Sequence, residues 1–171
     1  MADADLATED QRLRALRETG IVSAPPSRKL TDICERAKRH FDVAMALVTL
    51  IEKDIQVVRA RAGTDLEQTT RSVAFCDFTI RSDDVLVVAD ARQDPRFASN
   101  PLVTGQPFIR FYAGAPLTYL QQIRFGALCL LDPEPRGFSL GDRAELTLMA
   151  DEVVSLIAKH QFATLLPSTG A

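Results

Sequence analysis

The sequence predicts an α+β fold, with a central antiparallel sheet of about five or six strands and helices packed against it. Three observations lead there. Short apolar, β-branched segments lie grouped between helical ones, the first two of them form a hairpin, and the last long stretch has helical periodicity.

The elements follow in order. Thr8 and Gln11 have capping-box spacing and mark a first helix, striped by Leu13 and Leu16 and stopped at Gly20. Pro25 and Pro26 break the chain, because proline fixes its own torsion and restricts the residue before it. Leu30, Ile33, Cys34, Ala37 and Phe41 then recur at helical spacing, with Arg36, Lys38 and Arg39 off that face. Met45–Ile51 is apolar and β-branched and reads as a buried strand; Ile55–Ala62 returns as its hairpin partner, ending at Gly63. Thr64–Thr70 reads as polar loop, Val73–Ile80 as one or two helical turns, and Val85–Ala89 as another buried strand. Asp90–Phe108, punctuated by Pro95, Pro101 and Pro107, is a long connector with a helical turn expected at Pro95; so long a loop in a compact domain is usually functional. Phe111–Leu117 and Phe125–Leu131 are two more strands around the turn Gln121–Gln122. Ser139 begins the final helix, with Asp142 placed to cap it.

At 171 residues the chain suits one domain, and 46% hydrophobic with 25% charged residues is ordinary globular composition, which excludes disorder and collagen-like repeats. A net charge of −3 gives no general attraction to nucleic acid or anionic lipid. The acidic start has no apolar targeting core, and no apolar run approaches the roughly 20 residues of a membrane span. The expected location is the cytoplasm. Three cysteines at unrelated spacings fit a reducing compartment rather than a disulfide framework, with Cys34 and Cys129 read as small core side chains. The expected layout is a flexible start over 1–8, one domain over 9–162 including both end helices, and a flexible tail over 163–171.

Specific motifs stand in the middle of the chain. Phe75-Cys76, Val87–Ala91, Asp94–Gly105 and Ile109–Leu117, continued by Gly126–Asp132 and Pro135–Ser139, closely resemble the GAF domain family. The nearest branch is the bacterial one found with histidine kinases and cyclic-dinucleotide enzymes, and the resemblance covers roughly residues 10–160. It implies helices behind the sheet, ligand-pocket loops in front of it, and a sensory or regulatory role. It names no ligand, since one fold hosts many functions.

Within that frame the candidate ligand-binding residues are Cys76, Phe78, Asp90, Asp94, Arg96, Phe97, Arg110 and Tyr112. Arg110 is suited to pair bidentately with an anion and Tyr112 offers an aromatic face; packing is the alternative for both. Asp94 before Pro95 also reads as a helix N-cap, and Arg96 as a bridge to Asp90 or Asp94 that pins the loop. Relatives carrying a bilin attach it through a cysteine, often beside a histidine; here Asp77 and Phe78 follow Cys76, and the adjacent carboxylate opposes thiolate formation. Other GAF proteins reduce free methionine sulfoxide with clustered cysteines. That needs a resolving thiol within reach, and Cys34 on a rear helix and Cys129 in a strand do not offer one by sequence. No Asn-Lys pair of the cyclic-nucleotide type occurs. His40 and His160 end separate helices and make no metal site.

The reading is therefore a non-catalytic, stand-alone sensory domain without cofactor, binding a small molecule or a protein partner. With only a short tail after the last helix, its signal is expected to reach a separate protein such as a kinase. Leu146, Met149, Val153 and Leu156 follow the alternation of paired helices and suggest a homodimer, the alternative being that they cover their own sheet. A methionine sulfoxide reductase-like enzyme using Cys76 and a purely structural dimerisation module are the remaining alternatives.

Overall fold

The computed structural model describes residues 2–120 and 123–165. Five helices and six strands follow in the order α1 (Ala2–Glu18), α2 (Arg28–Phe41), β1 (Met45–Ile51), β2 (Ile55–Ala62), β3 (Gln68–Thr70), α3 (Cys76–Thr79), β4 (Leu86–Val88), α4 (Pro101–Thr104), β5 (Phe111–Tyr119), β6 (Ile123–Asp132) and α5 (Leu140–Leu165). Short 310 turns occupy 21–23, 71–73 and 91–93. The strands form one antiparallel sheet in the order β3-β2-β1-β6-β5-β4.

One face of this sheet carries α1, α2 and α5. The apolar stripe of α2 (Leu30, Ile33, Cys34, Ala37 and Phe41) is buried there, as its spacing predicts. Ser27 caps that helix by accepting from the Leu30 amide at 3.3 Å. At the head of α5, Ser139 and Asp142 cap each other reciprocally, at 3.0 and 2.9 Å. Leu146, Ala150, Val153 and Ile157 of α5 join the same core. Arg36 and His40 of α2 pair with Glu152 and Glu145 of α5 along the outside. Such exposed pairs set alignment more than stability, at about 0–1 kcal/mol each.

The other face carries α3, α4 and the connector from β4 to β5. A second core lies beneath them, built from Phe75, Cys76, Phe97, Val103, Ile109 and Tyr112 against inward residues of β1 and β6. The two cores follow from strand alternation: on β6, Leu128 and Leu130 face the helices while Ala127, Cys129 and Leu131 face the connector.

Several expectations are corrected. Helix α1 begins at Ala2, so Thr8 lies within it rather than at its start. Gln68–Thr70, expected as loop, pairs with β2 as an edge strand. Strand β4 is the opposite edge and only partly buried. The connector's helix starts at Pro101, capped by Asn100 through the Leu102 amide at 2.9 Å, because proline at the first helical position needs no amide partner. Asp94 instead closes a tight turn onto the Arg96 amide at 2.9 Å. The turn at Gln121–Gln122 and the tail from 166 lie outside the described residues.

Candidate functional site

Strand β5 enters the site at Tyr112, whose side chain lies along its own strand toward Gly114. A Cβ built on Gly114 would fall on the Tyr112 hydroxyl, so only glycine leaves that path open. The hydroxyl reaches the Thr79 side chain at 2.6 Å and donates to Cys76 Sγ at 3.2 Å. Cys76, on α3, has its sulfur 3.7 Å from Cys129 Sγ on β6. This corrects the sequence reading: Cys129 is the thiol nearest to Cys76, because β6 turns it to the connector side while Cys34 sits in the helix-side core. Tyr112, Cys76 and Cys129 are all buried.

The environment separates the two thiols. Burial, with the Asp77 charge adding to it, works to raise the Cys76 thiol; hydrogen bonds from Cys129, Thr49 and Tyr112 outweigh this and hold it below the ordinary range. The contact with Cys76, reinforced by burial, pushes Cys129 well up. Burial pushes Cys34 up to about 12, which makes it inert by comparison.

Aromatic rings lead outward from this cluster. Tyr112 packs on Phe75 at 5.2 Å, Phe75 stacks on Phe97 at 4.2 Å, and Phe97 meets the edge of Phe78 at 5.0 Å. Phe97 is fully buried and Phe78 half-buried. At the surface, Arg81 lies 4.2 Å over the Phe78 ring and Arg96 lies 5.1 Å over Phe97. The space under the connector is thus occupied by the protein's own aromatic rings.

Outside those rings, Val87, Val88, Asp90, Gln93, Asp94 and Arg96 line an open hollow of about 560 Å³ beside β4. It brings together three of the expected ligand residues: Asp90, Asp94 and Arg96. Both carboxylates are engaged locally, Asp90 by Arg92 at 3.1 Å and Asp94 by Arg96 at 2.7 Å, and these hydrogen bonds hold each carboxyl below its usual range. Arg110 does not join them through its Nη1, which donates to the carbonyls of Val103 at 2.8 Å and Ile109 at 3.2 Å and so ties α4 to β5.

A polar cluster flanks α3. Arg71 bridges Glu9 of α1 at 2.6 Å and Asp77 at 2.8 Å. Glu9 also holds Arg12, which is buried and donates to the Ile51 carbonyl of β1 at 2.8 Å. Among the described residues, no three His, Cys, Asp or Glu side chains gather as a metal site, and no helix is long and apolar enough to cross a membrane.

Of the four residues expected to pair helices, Leu146 and Val153 are fully buried against their own sheet. Met149 and Leu156 are half-buried, Leu156 lining an open groove between α2 and α5 with Arg36 and Glu152. The outward apolar residues of α5 are Leu140, Leu148, Phe162 and Leu165.

Sequence reasoning missed Cys129, Thr79 and Gly114 as partners in this cluster. Alternation along β6 places Ala127 and Cys129 on one face, but only the sheet order says which layer covers that face.

Comparison with known proteins agrees with this architecture. The family model for the GAF domain matches residues 25–160. A cyclic di-GMP phosphodiesterase of Pseudomonas aeruginosa is 39% identical over 129 residues, a match that spans 75% of this chain and 22% of that protein. The GAF domain of a phosphoenolpyruvate-protein phosphotransferase from Coxiella burnetii superposes with a TM-score of 0.67 at 18% identity, covering 91% of this chain and 97% of that one. A type II free methionine-R-sulfoxide reductase from Thermoplasma acidophilum superposes with a TM-score of 0.63 at 18% identity, covering 77% of this chain and 92% of that one.

Proposed function

Since the chain belongs to the GAF domain family, we propose that it is a non-catalytic sensory domain whose input is a small polar molecule seated against the β4–β5 connector. The observation that carries this reading is the hollow beside β4, which Asp90, Gln93, Asp94 and Arg96 line together with the apolar Val87, Val88 and Pro95. A ligand with both a cationic and an anionic group matches that lining, exchanging with the Asp90–Arg92 and Asp94–Arg96 pairs. Its effect passes through the connector, which Arg110 ties to β5, and on to a signalling partner such as a kinase. Association as a homodimer uses the outward face of α5, at Leu148 and Phe162.

The test is a thermal-shift and calorimetry series with free amino acids and nucleotides as probes. At least one probe class stabilises the wild type, and Arg96→Ala loses that gain while keeping its own melting temperature near the wild type's. A full series that leaves the wild-type melting temperature unmoved would remove the ligand reading.

The approach of Cys76 to Cys129 favours a second reading, reduction of free methionine sulfoxide. The Cys76 side chain, however, is enclosed by Phe75, Thr79 and Tyr112, and a substrate of amino-acid size reaches it only by displacing α3. Turnover of methionine sulfoxide with a thiol reductant, lost in Cys76→Ser, would replace the non-catalytic reading with this one.

A further inference from the structure

We propose that Cys76 and Cys129 are a peroxide-responsive dithiol, oxidised within one chain to a disulfide. The inference is independent of the ligand reading, because it uses the buried sulfurs rather than the hollow.

Three observations meet at this pair. The sulfurs are already in contact at 3.7 Å and come from separate elements, α3 and β6, so bonding requires them to close to about 2.05 Å. The Tyr112 hydroxyl donates to Cys76 Sγ, which favours the thiolate, the form that attacks an oxidant. Cys34 is turned to the opposite face of the sheet and does not compete. Access selects the oxidant. Cys76 is 2% exposed and opens a helix of only four residues, a cover that passes a molecule near the size of water more readily than a bulky one.

The chemistry balances with hydrogen peroxide as the oxidant. The Cys76 thiolate attacks one peroxide oxygen, the O–O bond breaks, and the hydroxide that leaves takes up a proton, giving a sulfenic acid and one water. Cys129 sulfur then attacks the sulfenic sulfur; the S–S bond forms, the S–O bond breaks, and the leaving hydroxide takes the Cys129 proton as a second water. Two thiols are oxidised and one peroxide is reduced to two waters. The new bond also changes what Tyr112 meets: Cys76 is no longer a thiolate acceptor, and the hydroxyl keeps Thr79 as its partner.

The experiment treats the full native chain with hydrogen peroxide, then denatures it in alkylating reagent and digests it with trypsin. Expected is a fall from three alkylatable thiols to about one. Peptides 72–81 and 125–136 are expected joined and lighter by two hydrogens, with dithiothreitol restoring both. Cys34→Ser behaves the same way, and Cys129→Ser retains a Cys76 sulfenic acid that dimedone traps. Three thiols still alkylatable after treatment, a bridge to Cys34, or a bridge between chains would each overturn the proposal. Should Cys129→Ser fail to fold, the wild-type and Cys34→Ser peptide maps decide alone.

Discussion

The Tyr112 hydroxyl occupies the space that a side chain on Gly114 would fill. Both residues stand on β5, so the strand itself makes the opening through which the tyrosine meets Thr79 and Cys76. Gly114→Ala forces that ring off its partners in a close-packed core, and a loss of about 1–3 kcal/mol is expected from urea unfolding. Gly137→Ala, with nothing within 4 Å, is the matched control and is expected to be near neutral.

Tyr112→Phe keeps the ring and removes the hydroxyl. It leaves the buried Thr79 oxygen without that partner, at a cost of about 1–3 kcal/mol. It also removes a donor that favours the Cys76 thiolate, so the thiolate absorbance of the folded protein is expected to rise at higher pH than in the wild type. An unchanged titration would show that this hydroxyl does not tune the thiol.

Acid sensitivity is expected at the junction of α1 with α3. Hydrogen bonding to Arg12 leads the effect; burial opposes it, Arg71 adds to it, and Glu9 falls from 4.5 to about 2. A carboxyl depressed in the folded state stabilises it above its unfolded pKa. That contribution fades as pH falls from about 4.5 toward 2. Glu9 is partly solvated, so the contribution is on the order of 1 kcal/mol. Glu9→Gln is expected to lower stability at neutral pH and to flatten its fall between those limits, measured by denaturant unfolding at a series of pH values.

Association through α5 is expected to depend on its outward face. Leu148→Asp with Phe162→Ser should turn a dimer into a monomer in sedimentation at micromolar concentration, with the circular dichroism spectrum preserved. A wild type that is monomeric across that range would remove the dimer.

Legibility followed the range of the interactions. The α2 stripe and the β1–β2 hairpin are local, and their periodicity marks them correctly. Gln68–Thr70 carries no apolar period, and only pairing with β2 makes it a strand. The connector's proline positions announced a long irregular segment, yet the choice of Asn100 over Asp94 as the helix cap depended on where the chain had to turn. The thiol pair was invisible for a different reason: its members lie 53 positions apart, and strand alternation gives a side but not the layer above it. No sequence pattern singles out Arg12, which is buried and satisfied by carbonyls of central strands.

The sheet's two borders have a bearing on how copies of the molecule meet. Strands β3 and β4 are each only three residues long, so little unpaired backbone faces outward at either margin. Strand-to-strand recruitment of a neighbour finds no long template there, which protects the domain from stacking into fibrils. Contacts with other macromolecules are left to surfaces made of side chains, where single substitutions can tune them.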